Sequence, residues 1–256
     1  MYSYSIGERL VMLDRQPRAG ERVLVLLTSE ELDRQPSLPG LEEVLHHTPP
    51  ARDARVCKAE VRRDCLCGTI ATPRHTKGGA PIAFGYLLTR DRAVLCDDSG
   101  AAHALIRRLS KEKRWRESGP GRLLYEFLEL LIARDLHRLE ELEDQLSQME
   151  DRGLAGELEN FNPRLSQLRR EAIGWFRYYS QLDDVACELE ENDNSIFSDG
   201  ELRLFHILEK RLGRLRDEAQ LLREYCLQVR ELFQAEIDIR QNRIMKILTI
   251  VTTICL

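Results

Sequence analysis

The sequence lacks the features of secreted proteins, nucleotide-binding enzymes and hydrolases. Residues 1–4 have neither the charged nor the apolar region of a signal peptide. The seven cysteines are odd in number and irregularly spaced, so we expect reduced thiols in a cytosolic compartment. No Gly-Lys-Ser/Thr triplet follows a glycine-rich turn, and no Ser-His-Asp, Cys-His or paired-carboxylate set stands out. We therefore do not expect an enzyme.

Acidic residues outnumber basic ones in the second half of the sequence. From residue 121 onward, 18 Lys and Arg face 27 Asp and Glu, whereas residues 1–120 hold 20 against 16. An acidic half argues against a nucleic acid partner, because phosphates need a basic surface. It favours the attraction of cations.

Cys65 and Cys67 are the most closely spaced cysteines, and they permit two interpretations. With Cys57 or His75 they could bind a metal ion, although no second pair completes the pattern of a zinc ribbon. We favour the alternative, in which they serve as small hydrophobic residues of a strand.

Residues 1–118 have the alternating pattern of an α/β domain. Short apolar runs bounded by Gly, Pro or Asp predict strands at 22–27, 65–71, 82–89 and 93–96. Helices are predicted at 41–47 and 101–109. Such alternation implies a sheet with helices packed against it.

Long helices follow this domain. One is predicted from 121 to about 151, where Gly153 and Gly156 end it, and a second begins near Pro163. In both helices apolar residues recur mostly at steps of three and four, and in the second the steps alternate as in a heptad seam. The apolar positions are Leu124, Leu128, Leu131, Leu139, Leu142, Leu146 and Met149, then Leu165, Leu168, Ala172, Trp175, Tyr179, Leu182, Ala186 and Leu189.

A third helix is predicted to be very long. It begins at a capping box, Ser198-Asp-Gly-Glu201, in which the serine hydroxyl and the glutamate satisfy free backbone amides. Apolar residues recur every three or four positions from Leu202 to Phe233, and no proline interrupts the run to Leu256. This is a rod of about 85 Å. A rod of that length must pack on other helices or project outward, so we expect self-assembly.

The residues at 247–256 carry no charge. They are too few to span a bilayer, which needs about 20 residues, yet a soluble coiled coil seldom ends in exposed Ile and Val. We expect that they begin a membrane helix whose remainder is missing from this chain. The alternative is an apolar tail that is buried in a soluble oligomer.

The segment 242–254 closely resembles the start of the first transmembrane helix of CorA magnesium channels, which reads Asn-x-(Val/Ile)-Met-Lys-x-Leu-Thr-Ile. Upstream the similarity is looser but in the right order. Residues 86–91 resemble a strand end of that family, 122–128 the start of its first long helix, and 162–165 the entry to its next helix. The resemblance covers most of the chain.

This resemblance implies an α+β fold, in which an α/β/α cytoplasmic domain is followed by long helices that include one very long stalk helix. Residues 1–118 would form the cytoplasmic domain, 119–196 long helices in an acidic-tipped hairpin, and 197–256 the stalk that runs into the first transmembrane helix. Five identical subunits would assemble at the inner membrane, with this portion on the cytoplasmic side. The family's Gly-Met-Asn motif and second transmembrane helix are absent from the sequence. We therefore expect a soluble cytoplasmic fragment that does not conduct ions by itself.

The resemblance also assigns residues to a path for Mg²⁺, an ion that keeps its waters and needs only a wide polar pore. Asn242 would lie at the inner mouth, followed by an apolar constriction at Met245 and Leu248. Glu231 would form an acidic ring that concentrates cations, although taken alone it has the pattern of a solvated helix charge. The predicted pore-lining residues are Glu231, Asn242, Met245, Leu248, Thr252 and Leu256.

A further acidic group lies where the second long helix leads into the third. In CorA-like proteins this hairpin tip is acidic and thought to attract metal, although a charge run on a solvated tip is the simpler interpretation. The cation-attracting candidates are Asp183, Asp184, Glu188, Glu190 and Glu191.

One position departs from the family pattern. Near the start of the stalk, relatives usually carry an aspartate that contributes to a regulatory Mg²⁺ site between subunits. The corresponding residue here is Ile207, which cannot ligate a metal. Glu209 is a substitute ligand candidate, although it points elsewhere on the helix. We expect Mg²⁺ to stabilise this protein less than it stabilises typical relatives.

Two alternatives to a magnesium channel stay open. The related ZntB class of zinc transporters shares the fold, and His46, His47, His75 and the scattered cysteines favour it slightly. The other alternative is a soluble coiled-coil adaptor that ends in apolar residues.

Overall fold

The computed structural model describes residues 1–18, 20–75, 79, 81–156 and 160–255. The chain divides into two compact units, each made of two stretches of sequence. The first unit comprises Met1–Arg134 and Arg177–Arg214, and the second comprises Asp135–Phe176 and Leu215–Leu256. The functional division at residues 118 and 196 stays a prediction.

The first unit is built on a seven-stranded mixed sheet. Its strands are β1 (Tyr2–Ile6), β2 (Leu10–Met12), β3 (Val23–Leu27), β4 (Lys58–Val61), β5 (Leu66–His75), β6 (Pro81–Leu88) and β7 (Arg92–Asp97). Their order across the sheet is β2-β1-β3-β7-β6-β5-β4. Strands β3 and β7 run parallel with Val25 opposite Val94, and the other neighbours are antiparallel. Every residue of β3 and β7 is buried, which is typical of strands covered on both faces.

Helices complete the first unit. They are α1 (Ser29–Asp33), α2 (Ala101–Glu112) and α3 (Pro120–Ile132), together with part of α5 (Phe161–Glu191) and part of α6 (Asp199–Cys255). The capping box at the start of α6 is formed: Ser198 N donates to Glu201 Oε2 at 3.0 Å, and Glu201 N donates to Ser198 Oγ at 3.4 Å. Glu201 Oε1 also accepts from Arg122 N at 3.1 Å, so one carboxylate satisfies amides at the starts of both α3 and α6.

Cysteines belong to the core of this unit. Cys65, Cys67 and Cys96 lie in one buried cluster with Val25, and Cys57 is buried as well. Burial raises the pKa of Cys57 to about 12 and that of Cys65 to about 11, which disfavours the thiolate that a metal needs. This supports the interpretation of Cys65 and Cys67 as small hydrophobic residues.

The second unit is helical. It contains α4 (Asp135–Leu154), the first part of α5 and the part of α6 from Leu215 onward. The rings of Phe161 and Phe233 stack with centroids 3.8 Å apart, and Arg138 forms an ion pair with Glu171 at 2.5 Å. The buried residues of the unit include Leu139, Leu142, Leu146, Met149, Leu165, Leu168, Ala172, Trp175, Ala219, Leu222, Cys226, Val229 and Phe233.

The predicted α+β fold, its four strands and its apolar helix positions are confirmed. All eight seam residues predicted for α5 are buried. On α6 the predicted apolar positions from Phe205 to Phe233 are buried, and Leu202 is half-buried.

The single helix predicted from 121 to 151 was wrong, because the structure has two helices that break after Ile132. A continuous helix would pair the Leu131 carbonyl with the amide of Asp135. Here Arg74 Nη1 donates to that carbonyl at 2.7 Å, so a side chain from β5 satisfies it at the break.

The helix predicted at 41–47 was also wrong. The structure has turns there and a 3₁₀ helix at Leu45–His47. Pro49 and Pro50 follow after Thr48, whose backbone is extended, because a proline sterically keeps the residue before it out of the helical conformation. A segment this short gains too little from its hydrogen bonds to form a stable α-helix.

Candidate functional site

Helix α6 changes from buried to exposed along its length. After Phe233 the described side chains are half-buried or exposed, and Met245 and Leu248 are 61% and 59% exposed. Glu231, Asn242 and Thr252 are exposed too. A long apolar stretch that a single chain leaves uncovered is typical of a surface that meets another molecule or a membrane.

The predicted pore residues share one face of this exposed stretch. At 100° per residue, Glu231, Asn242, Met245, Leu248 and Thr252 fall within a stripe about 120° wide. Thr249 lies within this stripe, and Thr253 widens it to about 140°; we call the widened stripe the polar face. The opposite side, the aliphatic face, consists of Ile244, Ile247, Ile250, Val251 and Ile254.

The threonines of the polar face are hydrogen-bonded within the helix. Thr249 Oγ1 donates to Met245 O at 2.8 Å, and Thr253 Oγ1 donates to Thr249 O at 2.7 Å. Thr252 Oγ1 reaches Leu248 O at 2.9 Å. Hydroxyls that are satisfied by their own backbone remain compatible with an apolar environment.

Leu256, the last predicted pore residue, lies outside the described residues. No helix within the described part of the chain combines the length and the apolarity that crossing a membrane requires.

A second group of candidate residues lies where α5 ends and α6 begins. Glu190, His206 and Glu209 each offer one ligand atom, and these three atoms lie within 4.8 Å of one another. His206 Nδ1 is 3.0 Å from Glu190 Oε1 and 3.4 Å from Glu209 Oε2. We call these three residues the histidine triad. Sequence reasoning had singled out both glutamates but missed His206, although a histidine three residues before a glutamate on a helix shares its face.

The remaining acidic candidates stay on the last turns of α5. Asp184 and Glu191 are exposed, and Asp183 and Glu188 are half-buried. Burial, and then the charges of Asp183, Glu209, Asp184 and Glu190, raise the pKa of the half-buried Cys187. Carboxylates therefore dominate the potential here, and that potential favours cations.

The connection between α5 and α6 is tied to the turn between β4 and β5. Asn194 Nδ2 donates to Arg62 O at 2.9 Å and to Cys65 O at 3.0 Å. Asn192 closes the loop on itself, donating to Phe197 O and accepting from Phe197 N, both at 3.1 Å. These bonds hold the end of α5 beside the start of α6.

Ile207 is 52% exposed on α6, one residue from His206. A regulatory Mg²⁺ site that requires an aspartate at this position does not fit the residue present, because an aliphatic side chain offers no ligand atom.

Comparison with known proteins decides the family. The sequence model of the protein family described as 'CorA-like Mg²⁺ transporter protein' matches residues 92–256, which is more than half of the chain. The chain belongs to the CorA-like Mg²⁺ transporter family. This is a family of transporters rather than of enzymes.

A curated relative is the cobalt/magnesium transport protein CorA of Methanocaldococcus jannaschii, which is 30% identical over 155 residues. The match covers 60% of this chain and 49% of that protein, so this CorA-like chain spans about half the length of the curated relative.

Solved structures share the CorA-like fold. The complete structure of the CorA magnesium transporter from M. jannaschii matches with a TM-score of 0.79 at 20% identity, over 98% of this chain and 82% of that one. The cytoplasmic domain of ZntB from Vibrio parahaemolyticus matches with a TM-score of 0.72 at 9% identity, over 93% and 98%. At these identities the likeness establishes the fold and does not separate the two transporter classes.

Proposed function

We propose that this chain is the cytoplasmic portion of a transport protein for divalent cations, with Mg²⁺ as the transported ion, and that it acts as a homopentamer at the inner membrane. The observation that carries the proposal is that the exposed end of α6 has a polar face and an aliphatic face, in a chain of the CorA-like family. The portion would assemble the pore and gate it, and would not conduct by itself.

The two faces suit two different environments. The aliphatic face, with Ile247 more than half exposed, offers apolar surface to lipid or to other helices. The polar face offers Asn242 and the threonines to a water-filled path. Copies of α6 that turned their polar faces inward would surround such a path with amide, hydroxyl and carboxylate oxygens.

Glu231 supports the attraction of cations. It lies on the polar face and is exposed, about 16 Å before Asn242 along the helix. Five copies would place five carboxylates around the entrance and raise the local concentration of divalent ions.

Met245 and Leu248 support a gate. Both are apolar, both are exposed in the single chain, and they are separated by less than one helical turn on the polar face. Rings of apolar side chains close a pore by excluding water.

Basic residues support a cytoplasmic location for the part of α6 that precedes the uncharged stretch. Arg240, Arg243 and Lys246 lie directly before the uncharged stretch. An excess of Lys and Arg beside a membrane helix is typical of the cytoplasmic side.

The test is ion flux through the complete gene product, reconstituted in liposomes that contain an indicator for Mg²⁺. We expect Mg²⁺ to enter down its gradient, and we expect Met245→Ala with Leu248→Ala to increase the leak. The matched control is Ile247→Ala on the aliphatic face, which should leave the leak unchanged. A preparation that passes neither Mg²⁺ nor Zn²⁺ would refute the proposal.

A zinc transporter of the ZntB class is the second candidate, favoured by the match to the ZntB cytoplasmic domain. Faster entry of Zn²⁺ than of Mg²⁺ in the same liposomes would select it.

A further inference from the structure

We propose that the histidine triad, Glu190, His206 and Glu209, is a binding site for a transition-metal dication such as Zn²⁺ within a single chain. It differs in residues and in metal from the Mg²⁺ site between subunits that the family resemblance places at Ile207. The inference does not depend on transport by the complete protein.

The distances fit a metal centre. Zinc bonds to imidazole nitrogen and carboxylate oxygen are about 2.0–2.2 Å long, so tetrahedral ligand atoms lie about 3.4 Å apart. His206 Nδ1 is 3.0 Å and 3.4 Å from the two carboxylate oxygens. The third edge of the triangle is no longer than 4.8 Å. A small rotation of Glu190 or Glu209 would therefore complete one face of a tetrahedron.

The convergence on one nitrogen argues against a simple ion pair. Imidazole Nδ1 carries at most one hydrogen, so it can donate one good hydrogen bond and not two. Both carboxylates nevertheless approach this same atom. A dication accepts a lone pair from all three ligand atoms at once, and it offsets two negative charges where a protonated imidazole offsets one.

The backbone around the triad is held in place. Each of its residues follows or precedes a fully buried one: Leu189 before Glu190, Phe205 before His206, and Leu208 before Glu209. The hydrogen bonds of Asn192 and Asn194 fix the connection between the two helices. A site whose supporting residues are already locked loses little entropy when the ion binds.

The ligand set selects the class of metal. Imidazole with two carboxylates suits Zn²⁺, Co²⁺ and Ni²⁺, whereas Mg²⁺ prefers oxygen ligands and keeps its waters. The side chain of His206 is 47% exposed and those of the glutamates are 38% and 35% exposed. Solvent can therefore reach the site, and a water molecule can occupy the fourth position.

The chain offers a matched control in His137. This histidine also lies near two glutamates, but Nδ1 approaches Glu140 at 3.5 Å while Nε2 approaches Glu141 at 3.5 Å. Because the two carboxylates face opposite nitrogens of the ring, no single ion can collect all three groups.

The test is calorimetric titration of the purified, metal-free 256-residue chain with ZnCl₂ and with MgCl₂. We expect one Zn²⁺ per chain to bind at least tenfold more weakly in His206→Gln and in Glu209→Gln, with His137→Gln unchanged. Mg²⁺ titrations should not distinguish His206→Gln from the unsubstituted chain.

Absorption of bound Co²⁺ gives a second readout, since its visible bands depend on ligand geometry, and circular dichroism verifies that each variant is folded. His206→Gln should abolish the Co²⁺ bands of the site. Equal Zn²⁺ affinity in the unsubstituted chain and His206→Gln, no Zn²⁺ binding at all, or an equal loss in His137→Gln would overturn the proposal.

Discussion

Glu201→Ala should destabilise the first unit more than the removal of a solvated charge from the part of α6 that belongs to the same unit. The Glu201 side chain accepts hydrogen bonds from Ser198 N at 3.0 Å and Ser198 Oγ at 2.9 Å, and from Arg122 N at 3.1 Å. One residue thus caps α6 and also satisfies an amide in the first turn of α3. Alanine leaves all three donors without this acceptor.

The size of the effect follows from these contacts. Loss of a helix cap costs about 1 kcal/mol, and a hydrogen bond to a charged group contributes about 1.5–3 kcal/mol. Glu201 is half-buried, so water replaces part of what is lost. We expect the free energy of unfolding to fall by about 2–3 kcal/mol in Glu201→Ala. In Glu201→Gln it should fall by about 1 kcal/mol, since the amide oxygen still accepts.

The assay is urea unfolding followed by far-UV circular dichroism. A loss of this size moves the midpoint of the first unit's transition by about 1 M. Lys210→Ala is the matched control, because Lys210 is exposed on the part of the same helix that belongs to the first unit, and its removal should cost under about 0.5 kcal/mol. If Glu201→Ala shifts the midpoint no further than Lys210→Ala, the reasoning about the shared cap is refuted.

Three further outcomes are expected. Phe233→Ala should lower the free energy of unfolding by about 3–5 kcal/mol, because it removes a buried ring that is stacked on Phe161. Leu232→Ala changes an exposed neighbour and should lower the free energy of unfolding by under about 1 kcal/mol; thermal melts of the two variants measure the difference. Cys57, whose pKa burial raises to about 12, should be about one part in ten thousand thiolate at pH 8; mass spectrometry after brief native alkylation should find it unmodified, and rapid labelling would contradict its burial. Ile207→Asp should let millimolar Mg²⁺ raise the melting temperature of the assembled protein more than it does without the substitution, and equal shifts would count against the role assigned to that position.

Much of the fold could be predicted because its signals are local. The 3-and-4 spacing of α5 identified every buried residue of its seam, and the Ser198–Glu201 pattern located the start of α6. The strands β3, β6 and β7 were found from their apolar runs. The short elements were missed: β1 alternates Tyr and Ser, and α1 starts at a capping box of Thr28 and Glu31 that the sequence displays as openly as that of α6.

The break between α3 and α4 depends on a long-range contact and was therefore hidden. The sequence near Ile132 contains no signal for this break, because the Leu131 carbonyl is satisfied by Arg74, which lies in a strand far earlier in the chain. His206 was hidden for the same reason. Its spacing from Glu209 is local, but its proximity to Glu190 requires α5 and α6 to be brought together by their connection.

Cross-linking in the complete, membrane-assembled protein tests the central claim most directly. Met245→Cys lies on the polar face and Ile247→Cys on the aliphatic face, and the native residues are similarly exposed, at 61% and 56%. If copies of α6 surround an ion path with their polar faces, mild oxidation should link Met245→Cys subunits in pairs, as disulfide-bonded dimers, and leave Ile247→Cys largely unlinked. Efficient linkage through Ile247→Cys with none through Met245→Cys would contradict the account.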